Sequence, residues 1–350
     1  MILGIADPVR FAIDVSAFFS IYLMLSISLN LEYGYTGISN FGKVLFLAGG
    51  AFTVGALATR TIMNFYSSQI GNYGPYCTAN VVYATEASKI LANNPSLAIA
   101  LFISLLILGA IVGGILGYLA SYPAIRLKES YLGITLLASG ELLRIIARNY
   151  DPLICGSLGV SVPDILAWLP VSIKEVVQVG IMLTIAFITW YFVEKLARSP
   201  FGRLIRAIRD NEVAAEAFGK NVVKIRMQVL VAGSAIAGIA GALYAFYTKS
   251  VYADDFMPIR TFIVWVMVIL GGAGNNIGAA LGALIYVLTE RLIMQYKHMI
   301  PAPFDVNYLS YIIFGIVLIL ILLYRPQGIL PEKPSKTISF EKVIKKIKQE

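Results

Sequence analysis

Nine mostly apolar runs divide this chain, and their length settles most of what it can fold into. They span 13–32, 44–63, 97–121, 131–147, 174–194, 227–248, 259–270, 277–294 and 308–324. A helix needs about 20 apolar residues to cross the roughly 30 Å hydrocarbon layer. Nothing in that layer satisfies stray backbone polar groups, so such runs are read as helices. With 58% hydrophobic residues, 14% charged and a mean hydropathy of +0.77, the chain is far more apolar than a soluble domain. The expected fold is an all-α integral membrane protein of about nine transmembrane helices, within a range of eight to ten. The run 259–270 is the weakest, because twelve residues reach only about 18 Å. It is tilted, continued through the following glycines, or a half-helix.

Between the apolar runs, Lys195–Arg226 alone reads like a long piece of soluble protein. It carries eight Lys/Arg and three acids, a net of +5. The tail 331–350 carries six and three, a net of +3, so these two regions account for the whole formal charge of +8. Charge this local fits membrane orientation, with Lys and Arg on the cytoplasmic side, better than nucleic-acid binding. Ser199-Pro200 supplies an N-cap and a proline at the first helical position, Asp210-Asn211 a second cap, and Gly219 a stop. One or two short amphipathic helices are expected there, and a solvated charged loop is the alternative.

Parity tests the count. With 195–226 inside, four further crossings return the Lys-rich tail to the inside. Tracing backward puts 33–43 and 123–130 inside, with 64–95, 149–172 and the N-terminus outside. Cys77 and Cys155 then both face out, where a disulfide is permitted, although nothing in the sequence brings them together. Two cysteines and the single His298 give a metal site little to build on. Asp7 and Arg10 before the first run do not make a basic leader, so that run is expected to remain as a span.

Three polar or glycine-rich breaks interrupt the runs: 33–43, 149–172 and 271–276. Gly37, Gly42 and Lys43 have P-loop spacing, but Val44 stands where magnesium needs Ser or Thr and no strand precedes them. Irregular backbone at membrane depth survives only inside protein or beside a wet cavity. These breaks therefore point to a translocation path through Asn40, Gly271, Gly272 and Asn275, or are interhelical turns. Gly109, Gly113, Gly117 and Gly274, Gly278, Gly282 repeat every fourth residue, as close-packed helices require. Glu141 and Arg144 share a helix face, and Arg148 extends it. That stripe lines a path for a zwitterionic substrate, or is a structural ion pair near the outer surface. Asp14, Glu290 and Arg291 lie close enough to span ends to snorkel.

The stretch SPFGRLIRAIRDNEVAAEAFGKNVVKIR, Ser199–Arg226, resembles the cytoplasmic coupling loop of LivM-type permeases, membrane subunits of ABC importers for branched-chain amino acids. AGIAGALYAFYTKSV, VILGGAGNNIGAALGALI and YRPQGIL continue the resemblance, as do SLNLEYGYTGISNFG, LKESYLGITLLASGELLR and LICGSLGV upstream. It covers roughly residues 20–330 and implies a permease domain over 1–330, with 195–226 as its cytoplasmic coupling loop and 331–350 as a basic cytoplasmic tail. It also implies a second, LivH-like permease, two cytoplasmic ATPases and an external binding protein. ATP and magnesium would be bound by the ATPases, with no cofactor or catalytic residue in this chain. The family's EAAxxxG-like element matches Val213, Ala214, Ala215 and Gly219, with Val213 in place of Glu. Ala214, Ala215, Phe218 and Gly219 are therefore the expected ATPase contact. Cys155 and Ser157 stand where relatives often have Gly and Pro.

An ion-coupled secondary transporter is the competing reading, but only Glu141 lies well within a run. A membrane enzyme would rest on the lone His298, with no matched nucleophile. Branched-chain amino acids are the cargo that the resemblance implies, and urea, amides or other amino acids are the alternatives.

Overall fold

The computed structural model describes residues 8–67, 69–124, 129–297 and 308–332. His298 and nearly all of the basic tail lie outside them. The helices in chain order are α1 (Pro8–Leu29), α2 (Lys43–Phe65), α3 (Tyr76–Asn93), α4 (Pro95–Ala124), α5 (Glu129–Asn149), α6 (Asp151–Ile154), α7 (Val171–Arg198), α8 (Pro200–Asp210), α9 (Glu212–Ala217), α10 (Val222–Thr248), α11 (Ile259–Gly271), α12 (Asn276–Tyr296) and α13 (Leu309–Tyr324). A π-helical turn, Asn30–Gly34, prolongs α1. Six stretches are long and apolar enough to cross a membrane: Pro8–Gly34, α2, Pro95–Tyr122, α7, α10 and α12. The chain is an α-helical multi-pass membrane protein.

Small residues let the centre close. α4 and α10 meet where a Cβ on Gly113 would stand 2.6 Å from the Ser234 carbonyl oxygen. Gly50 of α2 and Gly241 of α10 likewise press on the facing backbone, so α2, α4 and α10 form a core with almost no side-chain layer between them. α1 lies against this core and is buried along most of its length. Trp265 of α11 stacks on Phe41 and tilts against Tyr33, closing the near side of the 33–43 break.

The structure departs from the sequence reading in four places. The connection 64–95 contains an 18-residue helix, α3, whose mixed Asn, Thr, Glu and Lys content hides it from a hydropathy scan. Cys77 and Cys155 form a disulfide with Cα atoms 5.2 Å apart, clamping the start of α3 to the turn after α6. Two-residue strands β1 (Val160–Ser161) and β2 (Ser250–Val251) pair antiparallel and cap the same end of the bundle. The run 259–270 forms a 13-residue helix, about 20 Å long, preceded by the 3-10 turn Ala253–Phe256. It is the half-helix of the three alternatives.

Candidate functional site

At the end opposite the disulfide, local signals in the basic segment form two helices. The Ser199 hydroxyl caps α8 by accepting from the Gly202 amide, and the Asn211 side chain caps α9 by accepting from Ala214. Gly219 ends the second helix at φ +73°, a conformation an L side chain resists. Arg226 in α10 pairs with Glu212 at 2.9 Å and holds α9 down. Of the expected docking residues, Phe218 is 83% exposed and its neighbour Val213 75%, whereas Ala215 is only 7% exposed and faces inward. Ala214 is half-buried and Gly219 exposed. The outward surface of α9 and the turn after it is therefore Val213, Glu216, Ala217, Phe218 and Gly219, and Ala215 packs against its own chain.

Three basic side chains on α8 lie every third residue, and two of them reach back into the bundle. Arg209 donates to the Gly34 carbonyl at 2.5 Å and pairs with Glu332 at 2.9 Å. Arg206 pairs with the same carboxylate at 3.1 Å and lies over the Tyr35 ring. Burial, with Glu194 and Glu332 close by, pushes the Tyr35 phenol up to about 12. α8 is thus joined directly to the π-helical end of α1.

That π-helical end holds a buried ionic cluster which sequence reasoning missed. Glu32 and Lys43 form an ion pair at 2.7 Å, with both side chains essentially inaccessible. Asn40 donates to Glu32 at 2.8 Å, and Lys43 donates to the Ser28 hydroxyl at 2.7 Å. The indole of Trp265 donates to the Asn40 carbonyl. Asn40 is fully buried, so it braces this pair and does not line an open path. Beside it, Asn30 donates to Asn276 and accepts from the Gly274 amide, and Asn276 donates to Glu194 of α7. Helices α1, α2, α7, α11 and α12 meet in this knot. A π turn widens the helix by one residue and recurs at functional sites.

The glycine-rich break 271–276 is occupied by the chain itself. The amides of Ile329 and Leu330 donate to the carbonyls of Leu270 and Gly271, and the Asn275 amide donates to Pro331. Gly272 adopts φ +115° with Leu330 against it, so only glycine fits there. Gly271, Gly272 and Asn275 therefore seat the C-terminal segment, and Asn275 also caps α12.

The Glu141–Arg144 pair forms as the spacing predicts, at 2.5 Å. Arg144 also reaches Asp254, as does Arg148 at 3.5 Å, which makes the stripe an ion cluster bridging α5 to the turn after β2. Asp14 and Arg291 pair at 3.2 Å, Arg291 covers the Phe18 ring, and Tyr247 donates to Asp14. These charges join α1, α10 and α12 in place of the expected snorkelling. Arg260, in the first turn of α11, donates to the Tyr244 hydroxyl at 3.3 Å and lies over that ring.

Residues 11–322 match the family described as branched-chain amino acid transport system, permease component. The chain is 42% identical over 335 residues to the probable branched-chain amino acid transport permease protein LivM of Methanocaldococcus jannaschii, covering 94% of this chain and 96% of that one. It is 23% identical to the high-affinity permease protein LivM of Escherichia coli, over 95% of this chain and 73% of that one. The probable permease protein LivH of M. jannaschii is 27% identical, over 78% and 87%. No solved structure matches.

Proposed function

Because the chain belongs to the branched-chain amino acid transport system permease family, we propose that it forms one half of the membrane pore of an ATP-driven, binding-protein-dependent importer for branched-chain amino acids. The observation that carries this reading is end-to-end similarity to a LivM protein, 42% identical over 96% of its length. A LivH-like permease supplies the other half, since LivH proteins are themselves relatives of this chain. Two cytoplasmic ATPases bind ATP and magnesium, and an extracytoplasmic protein delivers the cargo.

Nine crossings are proposed: the six long helices, α5, α13, and the return made by the Ala253–Phe256 turn together with the half-helix α11. The Lys195–Arg226 segment and the basic tail then lie in the cytoplasm, as their charge favours. Val213, Ala214, Phe218 and Gly219 meet the ATPase. ATPase closure moves α8 and α9, and Arg209 and Arg206 carry that movement to Gly34 and to the Glu332 segment. Physical support for this route is the Arg209 bond to the carbonyl of Gly34, which lies in the same π turn as Glu32 and two residues from it.

The test is uptake by vesicles holding this chain, a LivH-like permease, both ATPases and the binding protein. ATP-dependent accumulation of L-leucine is expected, with no accumulation of urea. Uptake by this chain alone without ATP would refute the importer, and urea uptake without leucine uptake would refute the cargo.

A further inference from the structure

Arg260 is a cation inside the bundle that, among the described residues, has no carboxylate at ion-pair distance. It is reached by Tyr22, which stands midway along the 27-residue span Pro8–Gly34, and by Tyr244 of α10. That places it near the middle of the membrane. Three other cations on the long helices have a carboxylate partner: Lys43 has Glu32, Arg144 has Glu141, and Arg291 has Asp14, whereas Arg60, nearer the disulfide end of α2, donates to the Pro152 carbonyl and lies over the Tyr76 ring. Among the described residues none pairs with Arg260 at ion-pair distance, although Asp255 and Glu290 are close enough to act on its charge. Its one hydrogen bond is to the neutral Tyr244 hydroxyl. A guanidinium has five donors in a planar fork that matches a carboxylate, so most of its donors remain for another group. The Tyr244 ring under it fixes its position without neutralising it.

The surroundings narrow what that group is. Arg260 is partly exposed, and a charge turned to lipid at this depth is strongly disfavoured, so its exposed side belongs on a protein-lined or watery path. Met257, Ile259 and Phe262, on either side of it in sequence, are all exposed and apolar. A carboxylate beside an aliphatic side chain fits this combination.

We propose that Arg260 receives the carboxylate of the cargo amino acid at mid-membrane, with Met257, Ile259 and Phe262 facing its aliphatic side chain. This rests on the importer reading above. The test uses the complete importer in proteoliposomes with L-leucine as the probe. Arg260→Gln is expected to assemble and hydrolyse ATP but to lose leucine uptake at least tenfold, while Arg260→Lys keeps part of it. The half-saturating concentration of loaded binding protein should not move.

A second measurement uses the wild-type complex during ATP turnover. Modification of Arg260 by phenylglyoxal, read by peptide mass spectrometry, is expected to be slowed by L-leucine but not by 3-methylbutylamine, which lacks the carboxylate. Wild-type uptake by Arg260→Gln, or labelling indifferent to leucine, would overturn the assignment, and the labelling decides if the variant fails to assemble. A wild-type complex that imports no leucine removes the importer reading and this assignment together. Wild-type import with an unaffected Arg260→Gln removes the assignment alone.

Discussion

Single residues carry the strongest constraints. Glu32 and Lys43 neutralise each other where no water reaches either. Removing one partner of such a pair leaves a bare buried charge, at a cost of about 3–5 kcal/mol. Lys43→Met should therefore lower the thermal unfolding midpoint of the purified complex sharply. The double variant Lys43→Met with Glu32→Gln should recover most of that loss, because the amide keeps a bond to Asn40. At α9 the decisive residue is Phe218, exposed on the outward surface while Ala215 faces inward. Phe218→Asp should leave the permease inserted and folded but cut ATP-dependent uptake at least tenfold, with hydrolysis persisting uncoupled. Comparing uptake with phosphate release separates that outcome from simple loss of assembly.

Elements differ in how openly the sequence announces them. α8 and α9 were legible because their signals are local: Ser199-Pro200, Asn211 and Gly219 each act within one turn of where they stand. The nine apolar runs were legible for the same reason, and each is covered by a helix. α3 was not, because Tyr76–Asn93 is helical without being an apolar run. The Glu32–Lys43 pair was hidden in what reads as a polar connection, since its meaning depends on the chain turning back under Trp265. Cys77 and Cys155 are separated by 78 positions, and their meeting is purely tertiary.

The loop before α7 offers a pH test of its own. Burial alone would raise the Asp164 carboxyl, but hydrogen bonds from Lys174 and Lys249 outweigh it and hold it below its ordinary 3.8. A carboxyl depressed in the folded state contributes stability above its unfolded value and loses it as pH falls through the folded one. Amide protection factors in residues 155–170, the exchange rates referred to the intrinsic rate at each pH, should therefore hold from neutral pH down to about 4 and fall below that. Asp164→Asn should show the lower protection already at neutral pH.

On the scale of the whole molecule, three distant stretches converge at the α8 end: the π turn after α1, the α11–α12 break and residues 329–332. Glu332 joins them, holding Arg206 and Arg209 together. Glu332→Gln should weaken the hold of α8 on the bundle and lower the coupling ratio of leucine moved per ATP, while the rest of the bundle keeps its unfolding midpoint within about 1 kcal/mol equivalent. The position of this clasp also imposes an order on biogenesis. Every described helix, α13 included, precedes Glu332 in the chain, so α8 is made well before the carboxylate that joins Arg206 to Arg209. Until translation passes Glu332, α8 is held by Arg209 on the Gly34 carbonyl and Arg206 on the Ala197 carbonyl, without the carboxylate that ties both arginines to residues 329–332.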